Sequence, residues 1–143
     1  MSKIFETFRG TVHPSEIDHM GHMNIKQYAE KFDRATWNIL IEVGFSAEYV
    51  RESGKGCAIL ESLTRYIREL FAGDSIFIET VVLDLNAKKI RILHRMKKSG
   101  SNELVATCEI LGIHFDLKSR KSCEMPQEIL KRALIYLERE RKE

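Results

Sequence analysis

At 143 residues, with 43% hydrophobic and 31% charged residues, the chain has the composition of one soluble globular domain, large enough for a core of its own without disulfide or metal staples. A net charge of +2, from 23 basic and 21 acidic residues, offers no basic surplus of the kind nucleic-acid binding draws on. No apolar run approaches a membrane span, and the N-terminus lacks the continuous apolar stretch of a secretion signal. The three cysteines, Cys57, Cys108 and Cys123, are odd in number and far apart, which fits a reducing cytoplasm better than a disulfide framework. The expectation is a single cytoplasmic domain over residues 1–143, with neither nucleic acid nor membrane as a partner.

Residues 4–13 are rich in β-formers (Ile4, Phe5, Thr7, Phe8, Thr11, Val12), and Pro14 closes the run, so a strand is expected there. A loop follows, Asp18-His19-Met20-Gly21-His22-Met23-Asn24. From Ile25 a mostly apolar pattern, Ile25, Tyr28, Ala29, Phe32, Ala35, Thr36, Ile39, Leu40 and Val43, has the i, i+3, i+4, i+7 spacing of one helix face. Lys26, Glu30, Lys31, Asp33, Arg34 and Asn38 fill much of the rest, Asn24 suits the N-cap, and Gly44 suits the terminator. Trp37 and Ile41 flank the stripe, whose width calls for a broad curved partner surface. A short helical piece near 46–52 leads into four strand-like runs near 57–68, 75–85, 89–97 and 103–116. Asn86-Ala87-Lys88 and Ser99-Gly100-Ser101-Asn102 are turn-forming connections, so consecutive antiparallel hairpins are expected. After Pro126, the spacing of Ile129, Leu130, Ala133, Leu134 and Leu137 predicts a terminal amphipathic helix ending in the charged run Glu138–Glu143. The order describes an α+β domain, one long central helix against a bent antiparallel sheet of about five strands.

The loop at the head of the long helix carries the chemistry. Helix starts present unpaired N–H groups and partial positive charge, which hold anions and polarise carbonyls. A carboxylate and two imidazoles beside such a start can act on an acyl group. The element order, Asp18-x-x-Gly21-His22-x-Asn24 and Tyr28 one turn later together resemble the hot-dog-fold acyl-CoA thioesterases of the 4-hydroxybenzoyl-CoA thioesterase type. Ala72-Gly73-Asp74 before a strand, Ile113-His114-Phe115-Asp116 and Met125-Pro126 extend the likeness over nearly the whole chain. Phe32-Asp33-Arg34-Ala35-Thr36, Tyr66-Ile67-Arg68-Glu69, His94-Arg95-Met96 and Pro126-Gln127-Glu128-Ile129 look like the branch linked to carnitine breakdown, which acts on betainyl-CoA.

The resemblance implies a hydrolase that splits an acyl-CoA into free acid and CoA, with Asp18 as nucleophile or as general base on a water. An N–H at the head of the helix would hold the carbonyl oxygen. His22 and Asn24 join Asp18 as catalytic candidates, and Gly21, Tyr28, Phe32, Trp37 and Glu61 are candidates for substrate binding. Each also has a plainer reading: Asp18 as a turn residue, Gly21 as a sharp bend, His22 as a hydrogen-bonded structural histidine, Asn24 as a cap, Tyr28 and Phe32 as core. Glu61 shares a strand-like run with Ile59 and Leu63; it either pairs with Arg65 or Arg68 or lines the pocket. For a quaternary ammonium substrate, Trp37 or Tyr28 with Asp33 or Glu61 would supply cation–π and ionic attraction. Lys88, Lys89, Arg91 and Lys97 are candidates for the CoA phosphates. No cofactor is implied, since CoA belongs to the substrate. No metal is implied either, because His13, Asp18, His19 and His22 match no standard zinc spacing. The family further implies a homodimer or dimer of dimers. The competing readings are a hot-dog hydratase or dehydratase and a non-catalytic acyl-CoA-binding module.

Overall fold

Residues 3–139 are described by a computed structural model. The first strand, β1 (Phe5–Thr11), runs into a 3-10 turn at Pro14–Glu16, where proline's fixed φ suits the first helical position. The long helix α1 spans Ile25–Val43, about 28 Å at 1.5 Å per residue. Its boundaries follow the capping residues: Asn24 accepts the Lys26 N–H in its side chain, and Gly44 closes the helix at φ 125°. A short helix, α2 (Ala47–Ser53), is capped by Ser46 and ends at Gly54 in the left-handed region.

Four long antiparallel strands follow, β2 (Lys55–Tyr66), β3 (Ser75–Leu85), β4 (Lys89–Lys98) and β5 (Leu104–Asp116), then a two-residue strand β6 (Lys121–Ser122) and the helix α3 (Gln127–Leu134). The sheet order is β1-β3-β4-β5-β2, with β6 paired to β5. The expected hairpins β3–β4 and β4–β5 form, and β1 and β2 close the two edges. Tyr28, Phe32, Ala35, Ile39 and Val43 of α1 are buried against Ile76, Ile78, Ile90, Ile92 and Met96 of the sheet. That is the helix-in-curved-sheet arrangement of the hot-dog fold. Among the described residues, no helix is long and apolar enough to cross a membrane.

Three local expectations change. The terminal helix stops at Leu134, and Leu137 instead forms a parallel bridge with Val82. The pairing of β1 with β3 reaches only Thr80, so Val82 has a free edge; its N–H donates to the Tyr136 carbonyl and its carbonyl accepts the Glu138 N–H. The part of the expected charged run beyond residue 139 lies outside the described residues. Lys31 is buried in the helix and paired with Glu16, because the 3-10 turn folds over the first turns of α1. Finally, a bulge in β2 between Ile59 and Glu61 reverses the side-chain parity of the strand. Ile59, Ser62 and Thr64 line one cavity against α1. Glu61 flanks Leu111 opposite Arg91 and lies 3.9 Å from that guanidinium, not beside Arg65 or Arg68. Arg91 also takes Glu109 at 3.1 Å, so Glu61 belongs to an ion-pair ladder on the outer face, away from the helix.

Candidate active site

The loop between the 3-10 turn and α1 is a tight hairpin. Ile17 and Met23 form an antiparallel bridge, the Asp18 N–H donates to the His22 carbonyl at 3.1 Å, and the Gly21 N–H returns to the Asp18 carbonyl at 3.0 Å. Gly21 sits at φ 88°, and nothing lies within 4 Å of where its Cβ would be, so backbone conformation rather than crowding requires glycine there. Two further bonds moor the hairpin: the Met23 N–H to the Leu70 carbonyl and the Asn24 N–H to the Glu16 carbonyl. Glu16 is in turn held by buried Lys31 and by the His13 N–H.

The Asp18 carboxylate is gripped from two sides. Oδ1 accepts the Met20 N–H at 2.8 Å and Oδ2 accepts Asn24 Nδ2 at 3.1 Å. The Met20 N–H, with help from Asn24, holds its pKa below the usual carboxylate range, so Asp18 is ionised at neutral pH. Asn24 thus performs two tasks at once, its Oδ1 capping α1 through the Lys26 N–H and its Nδ2 orienting Asp18. At the helix head the Asn24, Lys26 and Gln27 N–H groups are all taken within the chain. Among the described residues the Ile25 N–H has no hydrogen-bond partner.

A cavity of about 310 Å³ opens beside this hairpin, walled by His22, Met23, Tyr28, Tyr66, Arg68 and Glu69 among others. Tyr28 is buried, and its hydroxyl donates to the Arg68 carbonyl at 3.4 Å; burial pushes its pKa up to about 12, so it stays a protonated donor. The Tyr28 and Tyr66 rings meet edge to face at 5.1 Å and 86°. His22 Nε2 lies 3.9 Å from Glu69 Oε1, while Nδ1 is 3.4 Å from the Met23 carbonyl.

The structure therefore brings together Asp18, Gly21, His22, Asn24 and Tyr28. It separates them from the remaining candidates. Phe32 stacks on His94 in the core and also borders the second cavity, of about 250 Å³, together with Asp33 and Thr36. Trp37 borders a third, of about 210 Å³, with Phe45 and Cys57. Glu61 is on the outer face. Tyr66 and Glu69 join the site unexpectedly, because nothing local to the Tyr66-Ile67-Arg68-Glu69 segment signals that the chain after β2 returns to the helix head. Arg91 and Lys97, candidates for CoA phosphates, are engaged by Glu109 and Glu79. Among the described residues no three His, Cys, Asp or Glu side chains group as metal ligands. His94 bridges Thr36 and Thr80 in the core, and His114 bridges Tyr49 and the Cys123 carbonyl, with the Cys123 thiol 3.3 Å from its Nδ1.

The profile of the family described as the thioesterase-like superfamily matches residues 12–133. An L-carnitine dehydrogenase/betainyl-CoA thioesterase from Agrobacterium fabrum is 33% identical over 85% of this chain, which spans 24% of that protein's length. A betainyl-CoA thioesterase from Pseudomonas aeruginosa is 26% identical over 92% of this chain and 83% of its own. A Staphylococcus aureus protein solved in complex with CoA has the same fold, with a TM-score of 0.88 over 95% of this chain and 85% of that one, at 22% identity.

Proposed function

The chain belongs to the thioesterase-like superfamily, and from that premise we propose that it hydrolyses an acyl-CoA thioester to the free acid and CoA, with Asp18 as the acting carboxylate. The observation that carries the reading is the pairing of an ionised, two-point-anchored carboxylate with a helix head whose Ile25 N–H is unused. A thioester is a reactive acyl donor, and its leaving thiolate is stable, with a thiol pKa near about 8.5 on the cysteine scale. It therefore needs little beyond a positioned nucleophile and a donor for the oxygen that turns negative. Asp18 is suited to attack the carbonyl carbon or to draw a proton from an attacking water, and the Ile25 N–H, at the positive end of α1, is suited to hold the oxyanion. With the Met20 and Asn24 hydrogen bonds already made, the carboxylate has no reorganisation to undergo at the reaction step.

The acyl group is read from the relatives: both betainyl-CoA thioesterases share most of this chain's length with it, which supports betainyl-CoA as the substrate. The active form is proposed to be a homodimer or dimer of dimers. Strand β2 is one of the two edges of the sheet, and Ile59, Leu60, Leu63 and Tyr66 along it are 41–51% exposed, the kind of edge a second copy covers.

The test is thiol release from a panel of acyl-CoAs, including betainyl, aromatic and straight-chain esters, with wild type and Asp18→Asn side by side. Asp18→Asn keeps an acceptor for the Met20 N–H, removes the charge and sets its amide nitrogen against Asn24 Nδ2, and a loss of at least about a hundredfold in kcat is expected, on the scale of removing one transition-state donor. Equal turnover by both proteins would sink the assignment of Asp18. Acyl-CoA binding without turnover in either would make the domain a binding module.

A further inference from the structure

We propose that the cavity beside the motif hairpin is the subsite for an acyl group ending in a quaternary ammonium, and that Tyr66 and Glu69 set this preference; the proposal rests on the thioesterase reading of the same site. A quaternary nitrogen has no N–H to donate, so no hydrogen-bond acceptor can read it. What can read it is the face of an aromatic ring together with a carboxylate. The cavity supplies both. Tyr28 and Tyr66, with their planes at 86° and centroids 5.1 Å apart, form a two-walled aromatic corner. Glu69 provides the negative charge on the adjoining wall, and among the described residues its one ion-pair contact is His22 Nε2 at 3.9 Å. Arg68 also lines this space and is its one guanidinium, its carbonyl serving as the anchor for the Tyr28 hydroxyl.

Position selects this cavity over the others. In a betainyl thioester one carbon separates the nitrogen from the carbonyl carbon, so the two lie about 2.5 Å apart by standard bond lengths and angles. The ammonium must therefore be received next to the reacting carbonyl. The cavity is walled by His22 and Met23 of the same hairpin that holds Asp18, and by Tyr28 one turn into the helix. Asp33 and Trp37, nine and thirteen residues beyond Asn24, stand roughly 14 and 20 Å further along α1 and border different cavities. Glu61 faces the outside of the sheet, against Arg91. The aromatic and acidic partners that the ammonium requires are thus Tyr28, Tyr66 and Glu69.

The experiment compares kcat and KM for betainyl-CoA and for its uncharged carbon isostere, 3,3-dimethylbutyryl-CoA, with wild type, Tyr66→Leu, Tyr66→Phe and Glu69→Gln. The two esters have the same shape but not the same reactivity, since an α-ammonium activates the carbonyl it flanks, so it is their KM ratio, and its change between variants, that reads recognition of the charge. Wild type is expected to show a KM for betainyl-CoA at least about tenfold below that for the isostere. Tyr66→Leu and Glu69→Gln each raise KM for betainyl-CoA by about three- to thirtyfold, the range of one cation–π or ionic contact, and leave the isostere nearly unchanged. Tyr66→Phe keeps the ring and keeps the preference. An equal KM for the two esters in wild type overturns the subsite, as does a variant that weakens both esters alike. Hydrolysis of other acyl-CoAs but neither of these also overturns the subsite while leaving the thioesterase reading standing. If no acyl-CoA is hydrolysed the thioesterase reading fails, and calorimetric affinities for the same two esters then decide the subsite: a preference lost in Tyr66→Leu supports it, and no preference overturns it.

Discussion

His94 shows how a single side chain can be fixed by proton accounting. The Thr36 hydroxyl donates to the Phe32 carbonyl, so it accepts from His94 Nε2 at 2.9 Å, and Nδ1 is left to accept from Thr80 at 2.6 Å. That arrangement fits the neutral ring, and burial pushes the pKa down to about 3. The unfolded chain binds this proton near the ordinary value of 6.5 and the folded chain does not until about 3, so stability falls as pH drops through that window. His114, also lowered by burial, adds in the same direction. The depressed carboxylates Glu16, Asp18 and Asp116 act only at lower pH, nearer their unfolded values. Urea unfolding between about pH 7 and about pH 5 is expected to show a slope approaching about 1.4 kcal/mol per pH unit from His94, with His114 adding to it in the same direction. His94→Gln lowers stability overall and makes that slope shallower by one proton; an unchanged slope would remove His94 as its source. A strand-like run suits His94, like His114, to a core or sheet-face role, but it cannot show that two threonines 14 and 58 residues away complete its hydrogen bonds.

At the scale of elements, what was legible is what neighbouring residues encode. The span of α1 could be read because its period, its Asn24 cap and its Gly44 stop all lie within the segment itself. The β2 bulge could not: no turn residue marks it, and its consequence, Glu61 facing outward, depends on register with β5. Nor could the end of α3, because the Leu137 spacing continues the helical pattern while the competing partner, the free edge of Val82, is set by where β1 starts. Lys31 reads as polar-face filling until the Glu16 turn is known to cover it. Gly44 shows the tightest of these constraints. It holds φ 125°, and an added Cβ would sit 2.9 Å from Ile129 Cγ1 of α3. Gly44→Ala thus has to strain the end of α1 and push α3 away together. It is expected to cost about 1–3 kcal/mol and to lower Tm by several degrees, measured by thermal denaturation. An unchanged Tm would mean that the α1–α3 contact yields without penalty.

For the molecule as a whole, the single chain leaves its own chemistry half enclosed. The hairpin with Asp18, the aromatic corner and the exposed edge of β2 adjoin one another, since Tyr66 is the last residue of β2 and also a wall of the cavity. An edge twelve residues long with Ile59, Leu60 and Leu63 uncovered is a costly surface for a free monomer, and a protein of this size forms a stable pair by burying about 800 Å² on each partner. A second copy laid along β2, as proposed, would satisfy the edge and close the cavity mouth together, and would so tie assembly to turnover. Sedimentation at micromolar concentration is therefore expected to give a dimer or a multiple of it for wild type. The double variant Leu60→Lys, Leu63→Lys places two charges on side chains that are half exposed in the single chain, so its circular dichroism should be unchanged while it sediments as a monomer. Its kcat/KM should fall at least about tenfold, because the cavity mouth then stays open to water. A fully active monomer would show that one chain suffices, and a dimer that persists in the double variant would move the interface away from β2.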